Sequence, residues 1–452
     1  MHKLKYKIQF IAAIAMLFIC ANSSFAANLD SIIKKSDINN NATVAVSVKD
    51  AKTGHVVYEY NEHKMMNPAS VQKIFTMRSA YAQLGEDFVF NTSAYVDSKS
   101  NLYIKLSADP SLTTGQLKIL MQKVKEHYKK PINDIVLDPT VIDNKQWGIG
   151  WMWDDDTNAL LPKYSPFTVN ENKIDISIEP AKNAMMPSIK NKSRYNMVIV
   201  NMLKNGSADS ISPERKPWEH GDLTYIKGTV KNPVKLTLPV DAPERYFVDE
   251  LTSAMNAAGL KRNGTVKTAP MPAGLTKVAE VSSRPLSELI ANTLKNSNNL
   301  YSELIFKTAA AGYTKSQGTT EDAIHMFNKY FASIKSDKPI VVDACGISRN
   351  DLISADWTTE ALNMIYKADD FDKFESFLAK PIEGTLSDRL LNISLKLRAK
   401  TGTSSAISSI AGYIDTKSGK KYSFAIYIQN HNKSTLDVKR FEDALINEIY
   451  KM

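Results

Sequence analysis

Leu395 to Gln429 reads LKLRAKTGTSSAISSIAGYIDTKSGKKYSFAIYIQ. Three strand-like runs lie in it, Leu395 to Thr401, Ile407 to Ile414 and Tyr422 to Gln429, each enriched in alternating or β-branched apolar residues. Asp415-Thr416-Lys417-Ser418-Gly419 joins the last two as a turn. Beyond them Val438, Phe441, Leu445 and Ile449 recur at steps of 3, 4 and 4, one apolar stripe of a closing helix. The other end of the chain is its mirror. Leu29, Ile32 and Ile33 stand at helical spacing, and two strand-like runs follow, Ala42 to Val48 and His55 to Tyr60, joined by Asp50-Ala51-Lys52-Thr53-Gly54. Helix then strands at one end, and strands then helix at the other, predict a single antiparallel sheet built from both ends of the chain. A domain of that kind must close around an insertion.

The inserted middle, residues 86–270, has a different character. It is rich in Asp, Asn, Pro and short β runs such as Ile135 to Leu137, Ile174 to Ile178 and Met197 to Val200. Leu117 to Tyr128 is its one clear amphipathic helix. The expected organisation is a leader over 1–26, a discontinuous domain over 27–85 and 271–452, and a nested, mostly β insertion over 86–270 forming one or two small domains. At 452 residues the chain is long enough for this. Its 43% hydrophobic and 23% charged residues are those of an ordinary globular protein, which excludes a disordered chain. Lys and Arg exceed Asp and Glu by 57 − 48 = 9, but they are scattered, so no nucleic-acid role is expected.

The leader is read from Lys3, Lys5 and Lys7, the apolar run Ile8 to Ala21, and Ser24-Phe25-Ala26-Ala27. That is a charged region, a short apolar core and a small-residue cleavage site, with cutting expected after Ala26. The run is short for a membrane span, so membrane association is expected to be peripheral at most. Cys20 lies inside it, after Ile19, a poor residue before a lipid-modified cysteine. Removal leaves Cys345 alone, expected to be a small buried residue.

Seven His with no H-E-x-x-H and two Cys argue against a metal site. There is no G-x-S-x-G elbow, no Walker A loop and no dinucleotide fingerprint, and no cofactor is expected. A serine–lysine constellation remains. Ser70-Val71-Gln72-Lys73 fits S-x-x-K, which on a helix places amine and hydroxyl on one face. A serine needs a base, and lysine serves only if burial or a second cation favours its neutral form. Lys400-Thr401-Gly402-Thr403, on a strand, offers that cation, hydroxyls for a carboxylate and a glycine for close approach. Ser297-Asn298-Asn299 lies in a polar loop between two helices, Pro285 to Lys295 and Leu300 to Ala311. Each motif recurs by chance elsewhere: S-x-x-K at Ser31 and Ser418, K-T-G at Lys52, S-x-N at Ser348. The ordered triple in matching contexts carries the information.

With Asn67-Pro68-Ala69-Ser70, Asp109-Pro110-Ser111-Leu112, Gly150-Trp151-Met152-Trp153-Asp154-Asp155, Asn170-Glu171-Asn172, Gly384-Thr385-Leu386 and Ala399-Lys400-Thr401-Gly402-Thr403, the sequence resembles the class C low-molecular-mass penicillin-binding proteins. These are the D-Ala-D-Ala carboxypeptidases and endopeptidases of the PBP4 type, peptidase family S13. Ser70 and Ser297 are 227 residues apart, which matches the family's insertion and not a class A β-lactamase. The resemblance implies an α+β, penicillin-recognising serine transpeptidase-like fold: a five-stranded antiparallel sheet flanked by helices, with the nested β insertion. It implies a periplasmic enzyme that trims peptidoglycan stem peptides and is acylated by β-lactams. Ser70 would be the nucleophile, Lys73 its base and Ser297 the proton relay to the leaving group. Asn299 would hold the substrate amide. Lys400, Thr401 and Thr403 would bind the terminal carboxylate beside Gly402, and the backbone N–H groups of Ser70 and Thr403 would form the oxyanion hole. Arg349 would meet an acidic group of the stem peptide, and Asp154 a diaminopimelate amine. Two departures stand out: Asp343-Ala344-Cys345-Gly346-Ile347-Ser348-Arg349 where the family reads D-G-S-G-x-S-R, and Ser404 where a larger apolar residue is common. A β-lactamase or esterase, and a non-catalytic envelope scaffold, are the competing readings.

Overall fold

The computed structural model describes residues 26–181, 186–216 and 223–452. The expected leader lies outside the described residues except for Ala26. Among the described residues no helix is long and apolar enough to cross a membrane.

The chain forms two compact units. Of the described residues, one holds 26–75, Leu294–Ser297 and Asn328–Met452; the other holds those of Thr76–Thr293 and Asn298–Phe327. In the first, five strands form one sheet in the order Leu397–Ser404, Ile407–Asp415, Lys421–Gln429, Thr43–Asp50, Val56–Tyr60. Every pairing is antiparallel, and Thr43–Asp50 is matched along its length with Lys421–Gln429 (Val46 opposite Ile426). The two ends of the chain therefore meet at the middle of one sheet, as the sequence predicts.

Alternation decides what each face packs against. Val44, Val46, Val48, Phe424, Ile426, Ile428 and Ile410 form one apolar core with Leu29 and Ile33, and with Val438, Leu445 and Ile449 of the last helix, Thr435–Lys451. On the opposite face the helix Ala355–Tyr366 lies through polar partners. Thr359 Oγ1 is 2.8 Å from Ser47 Oγ, Thr358 Oγ1 is 2.8 Å from Tyr427 OH, and Lys49 pairs with Asp356. Phe75 is packed edge-on against Trp357 and Phe331 beside it.

The second unit carries a five-stranded sheet of mixed pairing, in the order Val266–Thr268, Ile135–Asp138, Leu102–Lys105, Asn91–Val96, Thr276–Ser282, and two three-stranded sheets. Its core joins Ile104, Leu137 and Ile176 to Leu117 and Leu120 of the helix Thr114–His127. It also joins Phe247 and Leu251 of Pro243–Ala257. That second helix was not expected in the middle of the chain. Its apolar residues are diluted by Glu244, Arg245, Asp249 and Glu250, and Pro243 at its first turn reads equally well as a turn signal. The units also divide the chain differently from the expected 27–85 and 271–452. Residues 76–85, 271–293 and 298–327 are compact with the middle of the chain.

Candidate active site

Ser70 sits at the second position of a 3-10 turn, Ala69–Gln72, which passes into the α-helix Lys73–Leu84. The helix on which the S-x-x-K spacing was read thus begins as a 3-10 turn. The tighter winding suits the S-x-x-K spacing, because residues three apart eclipse in a 3-10 helix. Lys73 Nζ donates to Ser70 Oγ at 2.8 Å and to the Cys345 carbonyl at 2.8 Å. Lys73 is fully buried and Ser70 nearly so.

The turn is held from outside. Asn67 Oδ1 accepts the Ala69 N–H at 3.0 Å, while Asn67 Nδ2 donates to the carbonyls of Ser348 and Asp351. Ala69 lies at φ 44°, in the left-handed region that a residue with a Cβ rarely enters. Such a conformation costs about 1–3 kcal/mol and persists where neighbours enforce it. Here they do, one residue before Ser70. Behind the turn, the Asp343 carboxylate accepts the N–H groups of Gly346, Ile347 and Ser348, which shapes the loop presenting the Cys345 carbonyl. Gly346, at φ 78°, could not carry a side chain, since a Cβ there would lie 1.9 Å from the Ala69 carbonyl oxygen. Burial, with the charge of Asp343 beside it, holds the Asp351 carboxyl well above the ordinary range. Cys345 is fully buried, as expected.

Lys400 comes to the site on the edge strand Leu397–Ser404. Its Nζ donates to Ser297 Oγ at 3.0 Å and to the Thr401 carbonyl at 2.7 Å. Gly402 is the point of closest approach: a Cβ there would fall 2.9 Å from Ser70 N and 2.2 Å from Ser409 Oγ. Ser297 is a second left-handed residue, at φ 59°. Lys400 was expected to supply a cation that keeps Lys73 neutral. Full burial drives Lys400 well below its usual range, and the charge of Lys73 beside it adds to the effect.

The structure therefore brings Ser70, Lys73, Ser297, Lys400 and Gly402 together. Thr401 is buried, its hydroxyl donating to Thr385 Oγ1 at 2.7 Å, and Thr403 is exposed at the end of the same strand. Arg349 is exposed, with one long contact to the Ser405 carbonyl at 3.4 Å. Asn299 belongs to the second unit, where it opens the helix Asn299–Thr314. Its Nδ2 donates to the Leu160 carbonyl at 2.9 Å, and its buried Oδ1 has no hydrogen-bond partner. Asp154 lies exposed on the 3-10 turn Trp153–Thr157 of the second unit.

The family model described as the D-Ala-D-Ala carboxypeptidase 3 (S13) family matches residues 25–448. The chain belongs to this family. The expected family and the expected class of activity, serine-type D-Ala-D-Ala carboxypeptidase, are borne out by that match. The D-alanyl-D-alanine carboxypeptidase DacB of Haemophilus influenzae is 26% identical over 440 residues, 91% of either chain. The crystal structure of penicillin binding protein 4 from the same organism superposes with a TM-score of 0.85 at 24% identity, over 94% of this chain and 100% of that one. A second structure of that protein, complexed with a novel β-lactam, gives 0.80 at 22% identity over the same shares. These likenesses bear out the fold expected from the sequence.

Within this S13 chain, sequence reasoning assigned no part to Asn67, Gln72, Asp343, Asp351 or Thr385. Gln72 Nε2 donates to the Asp343 carbonyl at 2.6 Å, so all five hold the motif residues or their supports. Asn67, Gln72, Asp343 and Thr385 stand in stretches quoted above and Asp351 in none, and such a stretch does not say what its residues touch.

Proposed function

We propose that the chain removes the terminal D-Ala from peptidoglycan stem peptides through an ester on Ser70, and that β-lactams trap the same oxygen. One observation carries the reading: a buried amine 2.8 Å from a serine hydroxyl, with a second buried amine 3.0 Å from another. That is nucleophile and base within hydrogen-bond reach, the requirement for covalent catalysis.

The depressed basicity of Lys400 suggests how the base is switched on. Without substrate, burial disfavours charge on both amines at once. A terminal carboxylate arriving beside Lys400, Thr401 and Thr403 restores the charged form of Lys400, and repulsion then strips the proton from Lys73. Neutral Lys73 takes the Ser70 hydroxyl proton as Oγ attacks the penultimate D-Ala carbonyl. The backbone N–H groups of Ser70 and Thr403 receive the oxyanion. A proton passed by way of Ser297 reaches the leaving nitrogen as the C–N bond breaks, and D-Ala departs. Water then cleaves the ester and returns a proton to Ser70 Oγ. Asn299 holds the substrate amide, Arg349 an acidic group of the stem peptide and Asp154 its amine. In this reading 27–85 and 271–452 do the chemistry, 86–270 is the insertion, and the enzyme works in the periplasm.

The test is covalent labelling. Fluorescent penicillin is expected to label the mature protein and to leave Ser70→Ala unlabelled, and Ser70→Ala should also free no D-Ala from a stem pentapeptide. Label on the Ser70→Ala protein refutes the assignment of the nucleophile.

A further inference from the structure

Asn170, Glu171 and Asn172 are consecutive and all left-handed, at φ 47°, 53° and 53°. Asparagine tolerates that region through its short polar side chain; glutamate has no such excuse. Both asparagines are tied down. Asn170 Oδ1 accepts the Thr114 N–H at 3.0 Å, and its Nδ2 donates to Thr114 Oγ1 and Tyr246 OH. Asn172 Oδ1 accepts the Val169 N–H at 3.3 Å, and its Nδ2 donates to the Lys163 carbonyl at 2.8 Å. The two outer residues thus enforce a backbone that the middle one disfavours. Strain of this kind marks a side chain that has to be somewhere in particular.

That side chain reaches the S-x-N loop. Glu171 Oε2 accepts from Asn298 Nδ2 at 3.1 Å and from Lys173 Nζ at 2.9 Å. Asn298 Oδ1 in turn accepts the Tyr301 N–H at 3.1 Å and so caps the helix Asn299–Thr314. A carboxylate can only accept, and a backbone N–H can only donate. Between them the Asn298 amide has one orientation. Its chain neighbours are Ser297, itself left-handed and bonded to Lys400, and Asn299, with its unpartnered Oδ1.

We propose that Glu171 is a positioning residue for catalysis: the strained N-E-N turn fixes Asn298, and through it the settings of Ser297 and Asn299. This rests on the activity proposed above. What the role requires is an acceptor at that point, not a charge.

The test compares Glu171→Gly with Glu171→Gln, reading D-Ala release, the penicillin acylation rate and the thermal midpoint. Glycine relieves the left-handed strain and removes the acceptor. Its kcat and acylation rate should fall by about tenfold or more, as misplacement of reacting groups does, with KM within about twofold and the midpoint unchanged or raised. Glutamine keeps an amide oxygen for Asn298 and should stay within about threefold of wild type in kcat. Wild-type kcat in Glu171→Gly overturns the proposal. A loss as large in Glu171→Gln as in Glu171→Gly overturns it too, as does a loss accompanied by a lowered midpoint. A wild-type protein that neither takes label nor frees D-Ala sinks the activity reading instead, a distinct result.

Discussion

Asp109 shows what one buried carboxyl does to the molecule. It accepts the N–H and the hydroxyl of Ser111, at 2.8 and 2.7 Å, but burial outweighs those bonds and raises its pKa from 3.8 to about 6. Between those values the folded chain holds a proton that the unfolded chain has lost. Stability from this group is therefore present below about pH 4 and lost as pH rises through 6. The difference is worth about 3 kcal/mol at pH 7. Asp109→Asn keeps an oxygen for Ser111 and removes the charge. The variant should exceed wild type by about 2–3 kcal/mol at pH 7 and by close to nothing at pH 4, read from denaturant midpoints at both values. Other single residues were out of reach of the sequence. Nothing in it marks the backbone of Ala69 or Ser297, yet both are left-handed, because only the neighbours that enforce such a backbone reveal it.

At the scale of elements, the strand Leu397–Ser404 was legible and its work was not. Alternation announced a strand, shifted by two or three residues from its actual span. That it is an edge strand laid against the Ser70 turn, with Gly402 at the contact, needed the register with Ile407–Asp415. Gly402→Ala should push that edge away from Ser70. We expect penicillin acylation to slow by about a hundredfold, with stability reduced by about 1–3 kcal/mol; stopped-flow acylation and thermal melting check the two. Unchanged acylation would mean that the strand gives way without moving the site. The 3-10 turn at Ser70 was hidden for a simpler reason. An i, i+3 pair shares a face in either helix, so spacing alone does not tell them apart.

At the scale of the whole molecule, the two ends of the chain share one sheet and one core. Leu445 is fully buried there, among Val44, Ile426 and Ile428. Leu445→Ala should cost about 2–5 kcal/mol by emptying that volume. Equilibrium unfolding measures the loss, and penicillin labelling well below the midpoint should persist, since the core lies on the sheet face opposite Lys400. The sequence by itself determined the mirrored termini, the ordered S-x-x-K, S-x-N and K-T-G motifs and, with them, the family. Periodicity and residue type are local properties, and those features are local. Tertiary structure alone decided how deeply the two amines are buried, which backbone is strained and where Glu171 reaches. Each of these depends on burial or on groups brought together from distant parts of the chain, and no local pattern records them.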